Sequence, residues 1–109
     1  MRIISQNGAI DVPYEMSAIR NDDGLIILCM AGETGKGSVI ARYSTSEKAE
    51  KAMEMLREQY SRLQVVKILA SGTCEHMEKS LSKDEFLECN LKYREMNIFQ
   101  FQQDEDLEV

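Results

Sequence analysis

The chain has 109 residues, 43% of them hydrophobic and 29% charged, a composition that points to one soluble globular domain and excludes a disordered or fibrous chain. Its formal charge of -6 works against a direct grip on nucleic acid, whose phosphates are repelled by a surplus of carboxylates, so none is expected. The longest apolar run, Leu25 to Ala31, is about a third of the ~20 residues that span a bilayer, which excludes a membrane helix. Three cysteines, Cys29, Cys74 and Cys89, form an odd set, and no charged-then-apolar leader opens the chain, so a reducing cytoplasm is the expected setting.

The first third reads as short strands separated by turns. Arg2 to Ser5 is apolar and β-branched, Asn7-Gly8 is a hairpin signal, and Ile10 and Val12 alternate with Asp11. Pro13 lacks an amide hydrogen and places this second run at a sheet edge or a bulge. The chain continues with Tyr14, Met16, Ala18 and Arg20 on one face and Glu15, Ser17 and Ile19 on the other. Asn21 to Gly24 is a turn, and Leu25 to Ala31 is apolar on both faces, the mark of a central strand. After a glycine-rich loop, Val39, Ala41 and Tyr43 alternate with Ile40 and Arg42 and complete an antiparallel meander.

The period then changes. Ser44 and Glu47 fit a capping box, and Ala49, Ala52, Met53, Leu56, Tyr60 and Leu63 form one apolar stripe at helical spacing, with Glu47, Lys51, Glu54 and Glu58 facing away. A helix is expected over Thr45 to Leu63. Gln64 to Ala70, with its paired β-branched residues, predicts a strand ended by Ser71-Gly72-Thr73. A second box, Ser82 with Glu85, predicts a shorter helix with Phe86, Cys89 or Asn90, and Tyr93 turned inward. Ile98, Phe99 and Phe101 then form a closing strand. The expected fold class is therefore α+β: an antiparallel β-sheet of about five or six strands, one long helix packed on it and a second, shorter C-terminal helix. The domain covers residues 1–102, and 103–109 is an acidic tail.

The segment AGETGKGS, Ala31 to Ser38, invites comparison with the phosphate-binding P-loop. Its spacing fails: Gly32 stands three residues before Gly35 where the motif needs five, Gly37 follows Lys36 where a hydroxyl belongs, and a strand rather than a helix comes next. It reads as the tip of a hairpin. What survives is an anion grip at an oligomer seam, with Lys36, Thr34, Ser38, Arg42 and Arg20 as ligand-binding candidates. The lone histidine, His76, has no nucleophile or base at a recognisable spacing, and Cys74, His76 and Cys89 lack the intervals of a zinc site. No catalytic residue, metal or cofactor is therefore assigned. Met55 lies off the helix stripe and is the candidate for a subunit contact.

Three strings, MRIISQNGAIDVPYE, ARYSTSEKAEKAMEMLREQY and IFQFQQDEDLEV, carry a resemblance to a group of small proteins of phages, prophages and mobile elements of Firmicutes. Residues 65–97 are the variable part, and Gln102 stands where similar proteins often have proline after the F-x-F pair. The resemblance implies a mobile-element origin in a host-cell cytoplasm and no defined activity. By analogy of habitat it points to a non-enzymatic binding protein, acting in counter-defence by sequestering a nucleotide signal or blocking an immune effector, or else to a structural or regulatory phage adaptor that binds a protein partner. The small sheet leaves apolar surface to cover, so a homo-oligomer is expected.

Overall fold

A computed structural model describes residues 1–32, 35–71 and 82–108. Strands β1 (Arg2–Ile4), β2 (Asp11–Pro13), β3 (Ser17–Asp22), β4 (Leu25–Met30) and β5 (Ser38–Arg42) precede helix α1 (Ser46–Ser71). Helix α2 (Lys83–Met96) and strand β6 (Ile98–Gln100) follow. The α+β class and the long and short helices stand as expected, but the strands divide into two three-stranded sheets, in the orders β2-β1-β6 and β3-β4-β5. The single antiparallel sheet of the sequence reading is thereby corrected, as is its uniform direction, because β6 runs parallel to β1 with Ile3 opposite Phe99. Local chain geometry explains the split. Tyr14–Met16 winds into a 3-10 turn, closed by the Ser17 amide on the Tyr14 carbonyl, so the β2 ladder cannot run on into β3. Pro13 ends β2 at a sheet edge, where a missing amide costs no ladder bond.

Both hairpins foreseen in the first third are present. The Asn7 carboxamide oxygen takes the Ala9 amide at 3.0 Å and the Ser5 hydroxyl at 2.7 Å, which shapes the loop from β1 to β2. The β3–β4 turn places Asp23 at φ 51° and Gly24 at φ 95°, with Asp22 facing Leu25. A side chain at position 24 would meet the Tyr43 carbonyl at 2.7 Å, so glycine is required there for space as well as for its backbone angle. In β4, Ile26 and Leu28 enter the main core, and Ile27 is buried on the opposite face.

Helix α1 carries the expected stripe. Ala49, Ala52, Leu56 and Leu63 are buried and Met53 and Tyr60 are half-buried, against Ile26, Leu28 and Ile40 from one sheet and Ile3, Phe99 and Phe101 from the other. Two details differ. The cap is Thr45 rather than Ser44: its hydroxyl accepts the Lys48 amide at 3.2 Å, while the Ser44 amide donates to the Asp104 carboxylate at 2.7 Å. The helix also continues through Gln64 to Ala70, where a strand was expected. No glycine, proline or competing cap interrupts the chain after Leu63, and adding one residue to an existing helix is far easier than starting a new element. The small propensity cost of Val65 and Val66 does not overturn that.

At the C-terminal helix the Ser82 cap is in place, with its hydroxyl accepting the Glu85 amide at 3.2 Å. Tyr93 packs on the core as expected, whereas Cys89 and Asn90 are exposed; the Phe86 side chain lies outside the described residues. The acidic segment after β6 lies against the body: Asp104–Asp106 form a 3-10 turn and Leu107 is buried. There the Asp104 carboxyl is held below the usual carboxylate range, first by the Ser44 amide and then by Lys48, whose Nζ stands 3.6 Å away. No helix among the described residues is long and apolar enough to cross a membrane.

The two sheets are joined by Gln6. Its amide nitrogen bonds the Ile40 carbonyl at 2.8 Å, and its side chain takes the Arg42 amide at 2.9 Å and reaches the Arg42 carbonyl at 3.1 Å. The same Nε2 also reaches the Gln102 carbonyl at 2.9 Å. A glutamine thus stands where another strand of the second sheet would pair.

Candidate functional site

The glycine loop joins the antiparallel neighbours β4 and β5, the hairpin tip that its spacing foretold. It folds back on the outer face of β4. Gly37 has φ 81°, and a side chain there would meet the Leu28 carbonyl at 2.5 Å and the Cys29 sulfur at 2.7 Å. Arg20 holds the loop, its Nη2 donating to the Lys36 carbonyl at 3.1 Å. Of the proposed anion ligands, Arg20 and Lys36 are brought together, but through the backbone of Lys36. The Lys36 and Ser38 side chains are exposed, and Arg42 lies at the far end of β5, opposite Leu25. Thr34, Cys74 and His76 lie outside the described residues. Met55 is half-buried against the core. Among the described residues no cluster of histidine, cysteine and carboxylate groups is placed to hold a metal ion.

A different surface stands out when the edges of the two sheets are followed. Unpaired strand edges attract other strands, and folded proteins usually cover or blunt them. The β2 edge is three residues long and ends in Pro13. The β5 edge is covered by Gln6. At the β6 edge, the Gln59 amide of α1 donates to the Met96 and Ile98 carbonyls at 3.0 and 2.8 Å. The β3 edge, six residues long, has no such cover among the described residues.

The direction of its backbone groups follows from the hairpin. A two-residue turn closes on a hydrogen-bonded pair, here Asp22 and Leu25, so Asp22, Arg20 and Ala18 direct their amides and carbonyls at β4. The bond from the Ala31 amide to the Met16 carbonyl, 2.8 Å, continues the same alternation. Ser17, Ile19 and Asn21 therefore face away from the sheet. The Ser17 amide is taken by Tyr14, but both backbone groups of Ile19 and Asn21 lack a backbone partner among the described residues.

Beside this edge lies a cleft of about 430 Å³ between the Tyr14–Met16 turn, β3 and α1. That volume lies within the ~300–1,000 Å³ range of ligand pockets. Ile19, Met53 and Leu56 line its apolar part, and Tyr14 and Tyr60, in contact with ring centroids 4.3 Å apart, form another part of its wall. Two charges stand at the rim. Glu15 is paired with the Met1 amino group at 2.8 Å, a bond that lowers its pKa. Arg57 makes no ion pair among the described residues. The arrangement offers an extended chain a ladder of backbone bonds, an apolar hollow for one side chain and a cation for a carboxylate.

No protein-family model matches the chain, and searches of curated proteins and of solved structures give no match. Sequence reasoning placed Tyr14 and Ile19 on opposite faces of one strand and so separated two residues that line the same cleft. The 3-10 turn at Tyr14–Met16 resets the alternation before β3 begins, and no turn signal marks it in the sequence.

Proposed function

We propose that the protein is a non-enzymatic binding protein that captures a partner polypeptide by adding an extended segment of it to the β3 edge. The observation that carries this reading is that β3 alone, of the sheet edges described, is left without cover or blunting, and that it adjoins an apolar cleft. Strand addition draws affinity from main-chain bonds and selectivity from pockets that receive alternate side chains. The preferred segment has an apolar residue for the hollow lined by Ile19, Met53 and Leu56, and a carboxylate on the side of Arg57. Blocking an immune effector, or joining phage and host proteins as an adaptor, are both roles that such capture would serve.

Sequestration of a nucleotide signal has less support, because Arg20 spends its guanidinium on the loop carbonyl of Lys36 rather than presenting it to an anion. The test is an NMR titration with synthetic octapeptides that alternate apolar and polar residues and carry one aspartate. A matched set N-methylated at every second amide cannot pair with a strand. The reading expects the unmodified peptides to shift the Ile19 and Asn21 amides together with Tyr60, and the methylated set to leave them in place. Binding of the aspartate-bearing peptides should weaken in Arg57→Glu. Absence of shifts on β3 up to about 1 mM peptide, or equal shifts with both sets, would refute it.

A further inference from the structure

The second helix presents two opposed faces, and only one of them packs on the core among the described residues. Tyr93 and Met96 pack against the core, whereas Leu87 and Leu91 are 51% and 57% exposed. At about 100° per residue, the two leucines lie roughly 170° round the helix from Tyr93 and Met96, so core packing cannot account for them. Isolated helices shorter than about 12–15 residues are marginal in water, and α2 has 14 residues.

The leucine face has an order of its own. Asp84, Leu87, Leu91 and Arg94 are spaced three, four and three residues apart, the interval of a coiled-coil seam. Read from either end the seam is charge, leucine, leucine, opposite charge. When two such helices run antiparallel about a two-fold axis, Leu87 of each meets Leu91 of the other, and Asp84 of each meets Arg94 of the other. Neither charge has an ion pair within the chain among the described residues, and the flanking Glu88 is already paired with Lys92 at 3.7 Å. Antiparallel alignment also sets opposite ends of the helix dipoles side by side.

We infer that α2 is a self-association helix, and that its occupant is α2 of a second copy of this chain, paired antiparallel through these four residues. This surface is separate from the β3 edge and does not depend on it. A two-fold interface of this kind is isologous, so every substitution acts twice.

Sedimentation of the full chain from about 1 to about 500 μM is expected to show a mass rising from 12.5 kDa towards twice that value. Asp84→Arg and Arg94→Asp should each weaken association about 10-fold, and the double reversal should restore it to within about 3-fold of the starting protein. Each reversal also opposes the helix dipole, and the double variant carries both of those costs. Its recovery therefore reports the contact between copies rather than helix stability, which far-UV circular dichroism tracks separately. A constant 12.5 kDa mass across the range would overturn the inference, as would a dimer indifferent to either reversal or a double variant as weak as the single ones.

Discussion

Replacing Gln6 by alanine should unfasten the two sheets from one another. The substitution deletes three side-chain bonds: the Arg42 amide on Oε1 at 2.9 Å, and Nε2 to the Arg42 and Gln102 carbonyls at 3.1 and 2.9 Å. Its backbone bond to Ile40 and the Gln103 side chain on its carbonyl remain. A net value of roughly 0.5–1.5 kcal/mol per bond gives about 3 kcal/mol, and water replacing the lost partners at this exposed edge reduces it to about 2 kcal/mol. For a domain of this size that loss lowers the melting temperature by about 10 °C. Urea unfolding should show a lower midpoint with an unchanged slope, and hydrogen exchange should quicken at the Arg42 amide. Gln6→Glu keeps the acceptor but turns a carboxylate towards two carbonyls, so it should be at least as damaging at neutral pH and recover on acidification. If Gln6→Ala costs less than about 0.5 kcal/mol and leaves Arg42 exchange unchanged, the glutamine is not the fastening between the sheets.

Other parts of the structure give their own tests. Gly37→Ala forces a side chain against the Leu28 carbonyl and the Cys29 sulfur at a backbone angle that favours glycine, and should cost about 2 kcal/mol by thermal unfolding. Thr45→Ala should cost about 1 kcal/mol through loss of the helix cap, whereas Ser44→Ala, which leaves the Ser44 amide on Asp104, should be close to neutral in the same assay. Burial, and secondarily the charge of Asp104, pushes the Tyr43 hydroxyl from 10.0 to about 12. A raised pKa means that the folded state keeps its proton longer than the unfolded chain. The associated stability is therefore complete below about pH 10 and is lost as pH rises through 12, a decline of about 2–3 kcal/mol. Tyr43→Phe should flatten that alkaline limb and, by losing the bond to the Gln102 carbonyl, cost about 1 kcal/mol at neutral pH.

Where one face of an element meets the core along its whole length, the sequence is legible. The stripe from Ala49 to Leu63, the doubly apolar Leu25 to Met30 and the turn at Asp23-Gly24 all repeat at the period of the element that they build. Gln64 to Ala70 misleads because paired β-branched residues weigh towards a strand only where the helix before them has ended, and nothing here ends it. The division into two sheets is hidden for another reason. It depends on contacts between residues far apart in the chain, such as Gln6 with Arg42 and β1 with β6, which leave no local pattern. The same holds for the proposed site. Ile19 looks like any half-buried strand residue, and what sets it apart is that its outward backbone groups have no backbone partner among the described residues. The leucine pair on α2 was open to view in the sequence, since its spacing is regular, but inward packing of Tyr93 had to be known before the outward face had meaning.

The central claim is that β3 is an open edge able to receive a further strand, and residue-resolved amide exchange tests it most directly. In the free protein Ala18, Arg20 and Asp22 should be protected by their bonds to β4, while Ile19 and Asn21 exchange at close to the rate of an unprotected chain. Saturation with an unmodified alternating peptide should then slow Ile19 and Asn21 selectively and erase the alternation. Strong protection of Ile19 and Asn21 in the free monomer, or slowing by the peptide elsewhere with β3 unaffected, would contradict the account.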